Sequence, residues 1–171
     1  MFLNLPAQGN DEPTHVGDLM DKVIPLLVNK DYEKGDYSSL KDKDYILFYW
    51  SASWCGPCRR FTPILLDFYK EYNGGDRFEV ILVGADKTEE NMKAYMTHHK
   101  MPWYGINHSE RPQAGMKQFA GGGIPHLMLI DKEGNILGRG RGQAYKVLGK
   151  FKAMLDAEAK SSDKAPEAPS S

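Results

Sequence analysis

The sequence predicts an α/β fold in which a central mixed β-sheet is flanked by α-helices. Three observations carry this expectation. Tyr45-Ile-Leu-Phe-Tyr-Trp50 and Phe78-Glu-Val-Ile-Leu-Val83 are strand-sized runs rich in aromatic and β-branched residues. Segments with apolar residues at helical spacing follow each of them. Late in the chain, Leu127-Met-Leu-Ile130, an Asp131-Lys-Glu-Gly134 turn and Asn135-Ile-Leu137 read as an antiparallel hairpin. Early strands alternating with helices, then a hairpin, are the pattern of a mixed sheet covered by helices.

The elements follow in order. Residues 1–13 contain Pro6, Gly9, Asn10, Asp11 and Pro13, a composition that resists continuous helix or strand, so they form an irregular arm. Val16, Leu19, Met20, Val23, Ile24, Leu26 and Leu27 recur at helical spacing and predict a helix over 16–28, kinked or ended by Pro25. Arm and helix occupy 1–30, and one domain occupies 31–159. Tyr45–Trp50 has no polar alternation, which suits a central strand covered on both faces. Phe61, Ile64, Leu65, Phe68 and Tyr69 mark one face of a helix that Asn73-Gly74-Gly75 stops near Tyr72. Thr88, Glu89 and Glu90 open a helix carrying Met92, Tyr95 and Met96, and a shorter helix is expected over 111–119. The last helix, about 144–159, places Val147, Leu148, Phe151, Met154 and Leu155 on one side. Residues 160–171 have no aromatic or branched aliphatic side chain to bury and are expected to be a disordered tail.

Composition narrows the function. A chain of 171 residues with 41% apolar content supports one core with flanking segments. Its 22 basic and 23 acidic side chains nearly cancel, which argues against a polyanion-binding or membrane-surface role. No apolar run approaches the roughly 20 residues needed to cross a bilayer. The N-terminus lacks a basic n-region and is interrupted by Asn4 and Pro6, unlike a secretory signal. The expected location is therefore the cytosol, with the periplasm or the exterior the alternative where a leader has been removed. A monomer is expected.

The two cysteines, Cys55 and Cys58, are too close in sequence for their bond to restrain much of the unfolded chain. Redox chemistry or metal binding remains. Disulfide exchange needs a thiolate that substrate can reach and a second thiol placed to displace the substrate from the mixed disulfide. Cysteines at i and i+3 in the first turn of a helix supply both. Cys55, nearer the helix end, faces unsatisfied N–H groups that favour its thiolate, and is the expected nucleophile; Cys58 is the resolving thiol. Pro57 suits the first turn because its missing N–H has no helical partner there, and Gly56 is expected to keep the sulfur uncovered. Trp54 offers a flat apolar face to a protein substrate. A zinc site would need two more ligands beside the pair. His98 and His99 are the adjacent histidines available, and they read as solvent-facing helix residues. No metal and no cofactor are expected.

Trp54-Cys55-Gly56-Pro57-Cys58, Pro63 five residues on, and Gly123-Ile124-Pro125 ahead of a late strand together resemble thioredoxin. Phe48-Tyr-Trp-Ser-Ala-Ser-Trp-Cys-Gly-Pro-Cys-Arg-Arg-Phe-Thr-Pro63, with Asp67-Phe-Tyr69 and Met101-Pro-Trp103, is more similar to the tryparedoxin and nucleoredoxin branch. The resemblance implies a thioredoxin-like domain over 31–159, a cis peptide at Ile124-Pro125 lying against the cysteines, and substrate pairing with the backbone at Ile124. Trp54, Gly56, Pro57, Ile124 and Pro125 are thus the expected substrate-contact residues. It also implies a protein-disulfide reductase that takes electrons from an upstream dithiol or reductase. A non-catalytic redox switch using the same pair is the alternative. Two positions depart from the families. Tyr49 stands where thioredoxins carry a buried Asp, and Gly56 stands where the tryparedoxin branch has Pro. His126 follows Pro125 where Thr is usual; it reads either as a stabiliser of the thiolate or as a hydrogen-bonded strand residue.

Overall fold

The computed structural model describes residues 12–140 and 143–164. Its strands are β1 (Leu27–Val28), β2 (Tyr45–Ser51), β3 (Phe78–Gly84), β4 (Tyr104–Ile106), β5 (His126–Asp131) and β6 (Ile136–Gly140). The α-helices are α1 (Leu19–Val23), α2 (Gly56–Glu71), α3 (Glu89–His98) and α4 (Ala144–Asp163). The strands form one sheet in the order β1-β4-β3-β2-β5-β6. β2, β3 and β4 run parallel, and β1, β5 and β6 join by antiparallel pairing, so the sheet is mixed as expected.

The lack of polar alternation in β2 follows from its position at the centre of two cores. Leu47 and Tyr49 enter one core with Leu127 and Leu129 of β5; Phe61, Leu65 and Phe68 of α2, Met92 and Tyr95 of α3, and Phe151 and Leu155 of α4 complete it. Ile46, Phe48 and Trp50 point the other way, into a core shared with Leu19 and Val23 of α1, Phe119 and Met128. Each buried aliphatic or aromatic side chain contributes about 1.5–3 kcal/mol, so a strand with both faces covered is fixed far more firmly than its propensity alone would fix it.

The N-terminal helix expected over 16–28 is not continuous. α1 ends at Val23, a 3₁₀ turn covers Ile24–Leu26, and Leu27 is extended at φ −81° and ψ 149°. Pro25 has no N–H to give the helix, and interior proline costs about 3 kcal/mol, so the chain leaves the helix and pairs Leu27 and Val28 with β4. The helix expected over 111–119 is likewise two 3₁₀ segments, His108–Ala114 and Met116–Phe119, separated by Gly115 at φ +67° and interrupted by Pro112. α4 runs to Asp163, so residues 160–163 are helical rather than disordered. Extending a formed helix is far easier than starting one, and the Ser161 and Ser162 hydroxyls donate to the carbonyls of Ala157 and Glu158. The rest of the expected tail, and most of the arm, lie outside the described residues.

Candidate active site

The carboxyl ends of β2 and β3 and the amino end of β5 meet at one edge of the sheet, because β5 is antiparallel to β2 and pairs His126 with Trp50. Cys55 leaves β2 after a tight turn and caps α2, its sulfur accepting the N–H of Cys58 at 3.2 Å. Cys55 and Cys58 are joined as a disulfide with their Cα atoms 5.2 Å apart, within the ordinary range for such a bond. The register that opposes His126 to Trp50 brings Ile124 alongside, with its carbonyl oxygen 3.8 Å from Cys55 Sγ. The Ile124-Pro125 peptide is cis. Residues far apart in sequence thus form one surface: the disulfide, Ile124 and Pro125 of the loop before β5, and Trp54, which is 62% exposed and donates its indole N–H to Ala85 O at 3.2 Å.

The expectation of an uncovered sulfur is corrected. Cys55 is 5% exposed and Cys58 is fully buried, packed with Ala52, Ala85 and Ile124. The cover comes from the β3 end and the β5 loop, which the local sequence around the cysteines does not contain. Gly56 still leaves open space, since a side chain there would approach only the Arg60 guanidinium, at 3.6 Å.

Behind Cys58 lies a chain of hydroxyls. Tyr49 Oη is 3.0 Å from Thr62 Oγ1 and 3.3 Å from the Cys58 carbonyl, Thr62 Oγ1 is 2.9 Å from Tyr95 Oη, and Tyr95 Oη is 2.7 Å from Ser51 Oγ. Burial pushes the Tyr49 phenol further above its ordinary range, and neighbouring Tyr95 adds to this, so Tyr49 stays protonated at neutral pH. A protonated phenol there can donate a hydrogen bond to the Cys58 carbonyl.

His126 is the hydrogen-bonded strand residue of the two readings. Its ring is fully buried, with Nε2 3.1 Å from Phe119 O and Nδ1 on Gly140 O. Burial holds the imidazole below its ordinary pKa, although the two carbonyls pull the other way.

Sequence reasoning missed Asp86, which is 1% exposed just beyond β3. Its carboxylate accepts the backbone N–H of Ser53 at 3.1 and 3.2 Å and also the Ser53 hydroxyl, fixing the turn that presents Trp54 and Cys55. The available signal was its place immediately after a buried strand, where open α/β sheets build their sites. Also missed was the grouping of Arg59, Arg60, His98 and His99 around one cleft beside Gly56. His98 is exposed as expected, whereas His99 is half-buried against Tyr95. Among the described residues no group of three or more His, Cys, Asp or Glu side chains could hold a metal ion, and no helix is long and apolar enough to cross a membrane.

The fold is shared with known proteins. Residues 42–136, more than half of the chain, match the Thioredoxin-like family. Tryparedoxin from Trypanosoma brucei brucei is 37% identical over 122 residues, covering 68% of this chain and 83% of that protein. Nucleoredoxin from Xenopus laevis is 34% identical over 118 residues, which is 67% of this chain but only 28% of the relative's length. Among solved structures, tryparedoxin II complexed with glutathionylspermidine superposes with a TM-score of 0.64 at 32% identity, covering 79% of this chain and 94% of the other. The chain therefore belongs to the thioredoxin-like family of oxidoreductases, in the branch that holds the tryparedoxins and nucleoredoxins.

Proposed function

We propose that the protein is a protein-disulfide reductase in which Cys55 is the nucleophile and Cys58 the resolving thiol. The observation that carries this reading is the position of Cys55: N-cap of a 16-residue helix, with its sulfur accepting an amide N–H and lying against the Ile124 carbonyl. An amide donor and the positive end of a helix dipole both stabilise a thiolate at that atom. In the dithiol form the Cys55 thiolate attacks one sulfur of a substrate disulfide, and the other substrate sulfur leaves as a thiolate. Cys58, once deprotonated, attacks Cys55 Sγ, which breaks the mixed disulfide and releases the second substrate thiolate. Two electrons pass to the substrate, and the Cys55–Cys58 disulfide is then reduced by an external dithiol.

Trp54, Gly56, Pro57, Ile124 and Pro125 bind the substrate in this scheme. The exposed indole of Trp54 gives an apolar platform. The backbone at Ile124 pairs with an extended substrate segment, which brings its disulfide to Cys55. The donor belongs to the class of small thiols and dithiols that the complex of tryparedoxin II with glutathionylspermidine represents. The working unit is a monomer in a reducing compartment, the cytosol.

Cys58→Ser, expressed in the native host, is expected to accumulate mixed disulfides through Cys55, because the sulfur that releases the partner intramolecularly is gone. Cys55→Ser is expected to trap few. Equal trapping by both variants, or attachment through Cys58, would reverse the assignment. Wild-type protein that turns over no disulfide with any dithiol donor would leave the redox-switch alternative in place of the enzyme.

A further inference from the structure

Beside the cysteine turn, between the first turns of α2 and the length of α3, lies a cleft of about 630 Å³. Its fixed charges are the guanidiniums of Arg59 and Arg60 from α2; Tyr95, His98 and His99 from α3 line it as well, and no carboxylate is among the lining residues. Ser53 and Gly56, which flank Cys55, form the end nearest the disulfide. Arg60 reaches back over that end, Nη1 lying 3.6 Å from where a side chain on Gly56 would begin. Among the described residues neither arginine has a carboxylate partner. Two guanidiniums on one cleft that holds no carboxylate, one of them beside Gly56 of the cysteine turn, make a local excess of positive potential. Burial first, and then neighbouring His98 and Arg59, hold the His99 imidazole below its ordinary pKa.

We infer that this cleft is a carboxylate subsite that selects protein disulfides whose flanking residues are acidic. The inference rests on the reductase reading and adds to it a substrate class. A volume of about 630 Å³ is that of a site for several side chains rather than for a single carboxylate, which favours a peptide segment as occupant. Arginine suits the task, because its planar fork binds a carboxylate in two-pronged fashion and stays charged at any physiological pH. A substrate strand paired with the backbone at Ile124 would cross Cys55 and deliver its neighbouring side chains to the Gly56 end. Acidic ones would meet the arginines there without displacing an existing salt bridge.

The test uses reduced full-length protein in single turnover against three disulfide-linked peptides that differ only in having Glu, Gln or Lys beside the cysteine. Glutathione disulfide serves as a small carboxylate-bearing comparison. The second-order rate constant is read from the change in tryptophan fluorescence as the enzyme oxidises. The Glu peptide is expected to react about tenfold faster than the Gln peptide at about 20 mM salt and about twofold faster at about 0.5 M, with the Lys peptide slowest. R59Q/R60Q keeps helix propensity and should bring the Glu-to-Gln ratio near one, whereas R59K/R60K should retain part of it. Equal rates for the three peptides, or a preference that survives R59Q/R60Q, would overturn the subsite while leaving the reductase reading intact. Glutathione disulfide reacting faster than the Glu peptide would overturn the assignment to a peptide segment. No reaction with any of the four would overturn the reductase reading itself.

Discussion

Tyr49→Phe removes one oxygen atom from the most buried side of the site, and its consequence can be worked out from the contacts. The phenol is fully buried and bonds to Thr62 Oγ1 at 3.0 Å and to the Cys58 carbonyl at 3.3 Å. Neither partner is orphaned by the change: Thr62 keeps the Cys58 carbonyl and Tyr95, and the carbonyl keeps the Thr62 hydroxyl. The ring retains its packing against Phe61, centroid to centroid 5.6 Å. The loss is that of ordinary hydrogen bonds without a buried unsatisfied group, about 1 kcal/mol. That is a fall of about 2–4 °C in Tm for a chain of this length. Because burial holds the phenol protonated, its removal should not abolish proton transfer from Cys58, and the resolution step should slow less than about threefold. The assay forms a mixed disulfide between Cys55 and a chromogenic thiol and follows release of that thiol by stopped flow, beside a thermal melt. Resolution slowed more than a hundredfold with the melt displaced by only a few degrees would refute the argument and make Tyr49 part of the proton path.

Two further outcomes are expected. Gly121→Ala would place a Cβ 2.3 Å from His126 Nδ1, and that ring is held by carbonyls on both nitrogens, so the variant should lose about 1–3 kcal/mol by thermal or urea unfolding; an unchanged midpoint would mean the loop has room to give. His126 itself gives a pH signature. With its folded pKa below the ordinary value of 6.5, the unfolded chain binds the extra proton first, so this contribution is complete above pH 6.5 and is lost as pH falls below it. The Tm advantage of wild type over His126→Gln should accordingly shrink between about pH 7.5 and 5, and a constant difference would show that the ring titrates alike in both states.

Much of this protein is legible from local pattern. The runs at Tyr45 and Phe78 could be read as strands because they are strand-sized and rich in aromatic and β-branched residues, with Glu79 the one charged interruption. The helix after Cys58 announced its inner side through Phe61, Leu65 and Phe68, and the cysteine spacing with its Trp, Gly and Pro named the chemistry. Where proline met a helical pattern, at Pro25 and Pro112, the pattern suggested more helix than the backbone could form, since a missing N–H outweighs the spacing of apolar side chains. β1 and β4, at two and three residues, carry too little periodicity to be seen at all, and exist because β4 pairs with β3 and the edge strand β1 pairs with β4.

The site divides in the same way. The cysteine pair and the cis-proline loop could be located from sequence, because each belongs to a short contiguous motif. That Cys55 is nearly covered, that Asp86 ties down the turn before it, and that Arg59 and Arg60 share a cleft with His98 and His99 were decided only by tertiary structure. Each depends on the distance between segments tens of residues apart. Side-chain periodicity records which face of an element is apolar, whereas the register of β2 against β3 and β5 sets which polar groups meet at the edge of the sheet. No window of sequence contains that register, since it emerges when two cores close on opposite faces of the same strand.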